Sequence, residues 1–357
     1  MTEQQEKQSA ELVRIEGLSK YYRVRSRQTS FWRPRRSEQF RVLNDVNLEI
    51  YKGETIGLVG ESGCGKTTLG RTLLRLTDMV EGKVYFDGHD IYNMDKEALR
   101  QLRRRMQMIF QDPYAALNNH MKVRDIIAEG VRINFRGTNE EVDERVRELL
   151  EQVNLQQGKI NAYPHELSGG ERRRVGIARI LAVQPKFIIA DEPVAALDVS
   201  IKAQIINLMQ DLKEQYDLTF MFISHDIGMI KYVSDRIAVM YLGKIVEKGA
   251  NRAIRPDRCL HPYTQQLLAA ASYMSSNWEH GYSLESEKEV KVWDVPDEIP
   301  SGCSYHPRCA LFRNKDQPDI CRTQDPDLLQ MGEQYGKPHW VACHFKDEIK
   351  ALQVEED

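Results

Sequence analysis

Gly60 to Thr67 constrain this chain more than any other stretch. Gly60-Glu61-Ser62-Gly63-Cys64-Gly65-Lys66-Thr67 fits the pattern G-x-x-x-x-G-K-[ST] without a mismatch. Ile56–Val59 ahead of it read as a short buried strand, and Leu69, Thr72, Leu73 and Leu76 behind it as an amphipathic helix. A loop that wraps phosphates must bring its backbone N–H groups close to the oxygens, and glycine allows this because no Cβ intervenes. The helix that follows points its positive end at the same anion. Lys66 is expected to reach the β- and γ-phosphates of a nucleoside triphosphate, and the Thr67 hydroxyl to take one position on Mg²⁺.

The chain has 357 residues, room for two domains. Lys+Arg number 50 against 53 Asp+Glu, and the net charge of -3 gives no reason to expect a polyanion partner. No apolar run approaches the length of a membrane span, and Met1–Ala10 lack a signal-peptide core, so a cytosolic chain is expected that meets a membrane only through partners. Four of the six cysteines follow residue 300. In a reducing compartment that clustering favours a metal site over disulfides.

Leu12–Ile15 and Val42–Ile50 read as strands. Between them, Lys20–Arg36 holds seven basic residues, no acidic ones, and Phe31-Trp32, and it is taken as a solvated insertion rather than a lipid or nucleic-acid patch. Gly82–Gly88 looks like a strand closing on an Asp-Gly turn, and Met106–Phe110 like a strand ending at Gln111. Residues 122–157 read as helical, and a further helix follows Leu167–Glu171. Phe187–Ala190 and Thr219–Ile223 are apolar strands ending in Asp191-Glu192 and Ser224-His225. Ile237–Tyr241 and Lys244–Glu247 form a hairpin, His261-Pro262-Tyr263 start a helix, residues 275–300 make a linker, and a cysteine-rich tail runs from Ser301.

Strands alternating with helices predict an α/β sheet with a phosphate site at its strand ends. Asp191 emerges from a buried strand, where its carboxylate can hold Mg²⁺ through water, and Glu192 beside it can polarise the attacking water as general base. His225 stands where it can bond the γ-phosphate, and Gln111 where it can ligate Mg²⁺ and orient water.

Together these residues resemble the ABC-type ATPases over roughly residues 12–255. Gly60–Thr67 match Walker A, and Phe187–Asp191 match Walker B with Glu192 as catalytic glutamate. Gln111 matches the Q-loop, Leu167–Glu171 the signature motif, Ala196-Leu197-Asp198 the D-loop, His225 the switch histidine, and Tyr22 the aromatic that stacks on adenine. The resemblance implies a P-loop NTPase fold with an antiparallel β subdomain, a helical subdomain at about 112–180, and a small cysteine-rich C-terminal extension at 256–357 after an ATPase domain at 1–255. It implies that Glu61, Ser62, Gly63, Cys64, Gly65 and Thr68 line the ATP with Gly60, Lys66 and Thr67, and that Ser168, Gly169, Gly170 and Glu171 face the nucleotide of an opposing subunit, ATP being the glue between the two. Glu171 replaces the usual signature Gln and is expected to place a negative charge near that nucleotide; Ala195 stands where importers often have Ser.

Gln111–Asn118, Tyr163–Ser168 and His261–Thr264 resemble the ATPase subunits of oligopeptide/dipeptide-type importers more narrowly, the F-type subunit in particular. That implies a second, related ATPase chain, two permeases, an extracytoplasmic binding protein, no nucleic acid, and a place on the cytoplasmic face of a bacterial membrane. The cargo stays open among peptides, nickel, oligosaccharides and antimicrobial peptides. Cys303, Cys309, Cys321 and Cys343 are separated by five, eleven and twenty-one residues, wider than a zinc ribbon. They are similar to the importer extension that carries a [4Fe–4S] cluster in some members; zinc or four free thiols are the alternatives. Cys64 and Cys259 are read as free thiols. A soluble ABC protein acting on ribosomes or DNA, and a regulatory subunit with little turnover, are the rival readings.

Overall fold

The structure, a computed structural model, describes residues 10–25, 37–112, 117–276 and 299–349. The basic insertion beyond Arg25 with Phe31 and Trp32, Pro113–Ala116 after the Q-loop position, and the linker over 277–298 lie outside the described residues.

Along the chain come β1 (Glu11–Arg25), β2 (Ser37–Tyr51), β3 (Thr55–Val59), α1 (Lys66–Leu73), β4 (Glu81–Phe86), β5 (His89–Asp90), α2 (Lys96–Arg105) and β6 (Met106–Ile109). Then follow α3 (Val123–Asn134), α4 (Asn139–Gln152), α5 (Gly169–Leu181), β7 (Phe187–Asp191), α6 (Val199–Tyr216), β8 (Thr219–Ser224) and α7 (Ile227–Val233). The C-terminal part adds β9 (Arg236–Tyr241), β10 (Lys244–Ala250), α8 (Pro262–Ser276), the short α9 (Ala310–Asn314) and α10 (Asp319–Thr323), β11 (Leu329–Gln334) and β12 (Lys337–Val341). The chain divides into two compact units, one of Met1–Val13, Ile50–Thr55 and Tyr85–Ile223, the other of Arg14–Glu49, Ile56–Val84 and Ser224–Asp357.

In the first unit β6, β7 and β8 are parallel neighbours, with Met106 opposite Phe187 and Phe187 opposite Thr219. Every residue of β7 and β8 is buried, as continuous apolar runs require in a sheet covered on both faces. The expected helix over 122–157 is two helices. Thr138 ends the link between them with reciprocal bonds: its hydroxyl accepts from the Glu141 N–H at 3.3 Å, and the Glu141 carboxylate accepts from the Thr138 N–H at 2.7 Å. This satisfies two N–H groups that a helix start leaves bare. Ile126, Ile127 and Val131 of α3 and Val142, Val146 and Leu149 of α4 are buried, and both helices pack against α5.

In the second unit the strand order is β11-β12-β10-β9-β3, antiparallel except for the parallel β9–β3 pair. The tail, expected as a cysteine-rich extension, also contains the strands β11 and β12. Their signal is Tyr335-Gly336, both in the left-handed region (φ 54° and 70°), a turn that joins twisted strands at little cost. Through Val341 opposite Glu247 and Trp340 opposite Lys248, the tail continues the sheet that carries β3. Glu247 is fully buried and anchors this join. Its carboxylate accepts from the N–H groups of Leu260 (2.7 Å) and His261 (3.1 Å) and meets Nε2 of His339 at 2.7 Å. Burial pushes His261 down to about 4, so it is neutral, and its Nδ1 accepts from the Tyr263 N–H.

α5 starts with the same reciprocal device as α4. The Ser168 hydroxyl accepts from the Glu171 N–H at 3.3 Å, the Glu171 carboxylate accepts from the Ser168 N–H at 2.8 Å, and Lys159 lies 3.3 Å from that carboxylate. The Ser168 backbone bond and Lys159 hold the Glu171 carboxyl below its ordinary range. Glu171→Gln keeps an acceptor and loses the ion pair, so stability is expected to fall by less than ~1 kcal/mol at neutral pH. The lowered folded value makes the contribution full above the ordinary carboxylate range and lost as pH falls through the folded value. Urea melts of wild type and variant should therefore converge in acid; a gap that widens there contradicts the assignment.

Candidate nucleotide site

β3 is buried at every residue and delivers the chain to Gly60. A Cβ at Gly60 would lie 2.1 Å from the carbonyl oxygen of Met240 on β9, so only glycine fits. Gly65 caps α1 at φ 109°, where a Cβ would lie 2.8 Å from the carbonyl oxygen of Val42. The Cys64 carbonyl accepts from the Gly243 N–H at 2.8 Å, tying the loop to the β9–β10 turn. Lys66 is 7% exposed, and its ammonium donates to the carbonyls of Gly60 (2.7 Å) and Glu61 (2.8 Å). Lys66 thus spans the loop, which keeps its ammonium beside the glycine backbone. Ser62 and Gly63 are exposed, Thr67 and Thr68 half-buried. Cys64 is a buried free thiol pushed up by burial.

Two further residues of this unit hold the loop, and no local pattern pointed to either. The Tyr263 hydroxyl accepts from the Glu61 N–H at 3.0 Å, and Arg308 donates two bonds of 2.8 Å to the Glu61 carboxylate. Tyr22 on β1 is 42% exposed, with the Lys20 ammonium 5.1 Å from its ring centre. His225 is exposed just before α7. Asp226 beside it caps that helix, its carboxylate accepting from the Met229 N–H at 3.0 Å.

In the first unit Asp191 is buried at the end of β7, as expected of a carboxylate leaving an apolar strand. Glu192 follows in the left-handed region at φ 47°, a conformation that costs a non-glycine residue about 1 kcal/mol or more. Its N–H donates to the Ile223 carbonyl at 2.9 Å and its carbonyl accepts from the Ala195 N–H at 3.2 Å, which hold that backbone. Asp198 occupies the N-cap position of α6, exposed, and makes no side-chain cap bond. Gln111 is exposed beyond β6. Arg173 of α5, 2% exposed, donates to the carbonyls of Phe110 (2.7 Å) and Gln111 (3.1 Å). One buried guanidinium thus joins the Gln111 backbone to the helix that begins at Ser168, Gly169 and Gly170. The Glu171 carboxylate is engaged by its own helix start and by Lys159.

The tail thiols depart from the metal reading. Cys303 is pushed up to about 11 and Cys343 to about 12, and Cys309 and Cys321 are raised, in each case first by burial. The Cys303 N–H donates to the Cys321 carbonyl at 3.0 Å. Soft sulfur donors suit zinc or iron. As placed they do not fit one: among the described residues no three His, Cys, Asp or Glu side chains are grouped to hold a metal ion. Cys309 Sγ instead accepts from the Phe312 N–H at the start of α9. Cys259 is buried and outside any disulfide. Among the described residues no helix is long and apolar enough to cross a membrane.

Comparison with known proteins bears on both the loop and the tail. The ABC transporter family model matches residues 43–195, and the model described as oligopeptide/dipeptide transporter, C-terminal region, matches residues 246–315. The chain is 41% identical over 337 residues to the oligopeptide transport ATP-binding protein AppF of Bacillus subtilis, covering 94% of this chain and 97% of that one. It is 42% identical to a putative peptide import ATP-binding protein of Brucella ovis, covering 95% of this chain and 98% of that one. It is 52% identical over 241 residues to OppF of Bacillus subtilis, covering 67% and 79%. Among solved structures, the dimeric ATP-binding cassette MJ0796 with ADP and Pi superposes with TM-score 0.59 at 29% identity, over 68% of this chain and 99% of that one. CbiO1 of Clostridium perfringens gives 0.58 at 26% identity, over 68% and 89%. The chain belongs to the ABC transporter family of ATPases, in the group whose members carry the oligopeptide/dipeptide transporter C-terminal region.

Proposed function

We propose that this chain is the ATP-hydrolysing subunit of a peptide importer. The glycine-lined loop braced on Met240 and Val42, with Lys66 across it, carries the reading. The names of the AppF and OppF relatives, which speak of oligopeptide transport, support the cargo class.

In this reading Gly60, Ser62, Gly63, Cys64, Gly65, Lys66, Thr67 and Thr68 cradle the phosphates through backbone N–H groups and the Lys66 charge, Glu61 lines the loop with its own N–H held by Tyr263, and Tyr22 stacks on the base. Thr67, Gln111 and Asp191 offer hard oxygen donors of the kind Mg²⁺ takes, and the ion would neutralise charge on the phosphates. Glu192 takes a proton from the attacking water, and its constrained backbone limits where that carboxylate can point. His225 bonds the transferring phosphoryl group and Gln111 orients the water. Ser168, Gly169 and Gly170 present helix-start donors to nucleotide on a second ATPase chain, and Asp198 lies on the loop that meets that chain. Residues 1–255 form the ATPase domain, with helices from about 112 to 180 receiving the permeases, and 256–357 form the importer extension. Two permeases, a second related ATPase and an extracytoplasmic binding protein complete the machine on the cytoplasmic face of the membrane.

A soft metal centre on Cys303, Cys309, Cys321 and Cys343 is a finer reading, supported by the donor type of four sulfur ligands and by the backbone bond that ties Cys303 to Cys321. It requires those thiols to draw together from where they lie. Iron, sulfide and zinc assayed on anaerobically purified chain test it: stoichiometric metal carries the reading, and four titratable thiols with no metal end it.

Glu192→Gln in the purified complex should lower ATP turnover by roughly 10²-fold or more while ATP still binds. Turnover equal to wild type, measured by phosphate release, contradicts the role given to Glu192.

A further inference from the structure

Arg308 lies 247 positions beyond Glu61 in sequence, in the short helical turn between Cys303 and Cys309, yet it closes a two-pronged pair on a residue of the phosphate loop. The fork is set from below by three tyrosines. Tyr241 lies 4.7 Å from Tyr263 and 5.2 Å from Tyr305, centre to centre, and the Arg308 guanidinium sits 5.7 Å over Tyr241 and 6.0 Å over Tyr305. Tyr305 in turn donates to Gln266 of α8 at 2.5 Å. The Tyr263 hydroxyl, from the same packed group, accepts the Glu61 backbone N–H. Both groups of Glu61 that can bond outward are thus held by the tail: the amide by Tyr263, the carboxylate by Arg308.

The chemistry explains why such a hold matters. A loop that binds a polyphosphate has no use for a free carboxylate, because like charges within a few ångströms repel strongly in a partly buried site. Arg308 is matched to that carboxylate in shape and charge, and its planar fork holds it in one direction as a lysine does not.

We infer that Arg308 and Tyr263 are positioning residues for ATP: the C-terminal extension neutralises Glu61 and turns its carboxylate away, so that the phosphate loop accepts an anion. The inference rests on the nucleotide reading of Gly60–Thr67 and adds to it that the tail sets the affinity of the loop. A shift in the segment from Cys303 to Cys309, which carries Arg308, then changes ATP binding directly.

Calorimetric titration of the full chain with MgATP tests this in wild type, Arg308→Ala, Arg308→Lys, Lys66→Ala and the double variant Glu61→Gln/Arg308→Ala. Reactivity of the buried Cys259 toward a thiol reagent reports on whether the tail stays folded. Arg308→Ala should weaken ATP about tenfold with Cys259 still protected, Arg308→Lys should lie between it and wild type, and the double variant should return to within about threefold of wild type, because the uncompensated carboxylate is gone. Wild-type affinity in Arg308→Ala, with Lys66→Ala losing ATP, overturns the inference and leaves the nucleotide reading standing. Equal weakness in the single and double variants also overturns it, since the loss would then be one of structure. ATP binding unaffected by Lys66→Ala would bring down the nucleotide reading itself.

Discussion

The carbonyl oxygen of Met240 stands 2.1 Å from where a Cβ on Gly60 would be. That steric limit brings the backbone after β3 against β9 and lets the following residues curl without side chains in the way. Gly65 does the same at the far end against Val42, and α1 starts there. Everything proposed for the chain uses this arrangement: an anion-sized curl, a helix start behind it, and one buried lysine across it.

Charged side chains drawn into the fold then fix backbone within each unit. In the first unit Arg173 holds the Phe110 and Gln111 carbonyls from the helix that begins at the signature motif. Desolvating a guanidinium is costly, and bonds to two carbonyls offset that cost only if the geometry holds, so Gln111 and Ser168 are kept in register. In the second unit Glu247 binds two backbone N–H groups and His339, joining the extension to the sheet, and Arg308 reaches from that extension to Glu61. The tail is therefore part of the unit that holds the phosphate loop.

Local chemistry was readable from the chain. Glycine spacing, apolar runs before Asp191 and His225, and the helical period after Thr67 placed the strands and helices that present the site, because each depends on neighbours a few residues away. Two further signals lie in the sequence itself. Ser168-x-x-Glu171 and Thr138-x-x-Glu141 are reciprocal helix starts. They break the helix near residue 137 and give Glu171 a local role at its own helix start. The Tyr335-Gly336 turn likewise announced the β11–β12 hairpin. Arg173 and Arg308 had no such signal. Each acts across 62 or more residues, and an arginine that will bond inside the fold looks, in sequence, like one that will face water. The tail cysteines show the converse: a chemically suggestive set whose side chains, once folded, are not gathered around one point.

The central claim is that the loop from Gly60 to Thr67 receives a triphosphate because its backbone can approach one. Equilibrium binding of MgATP to Gly60→Ala, alongside a thermal melt, tests it most directly. The account predicts that one added methyl group weakens ATP binding by more than about 100-fold while the chain still unfolds cooperatively, since the clash with the Met240 carbonyl displaces the loop backbone. Wild-type affinity in that variant would contradict it.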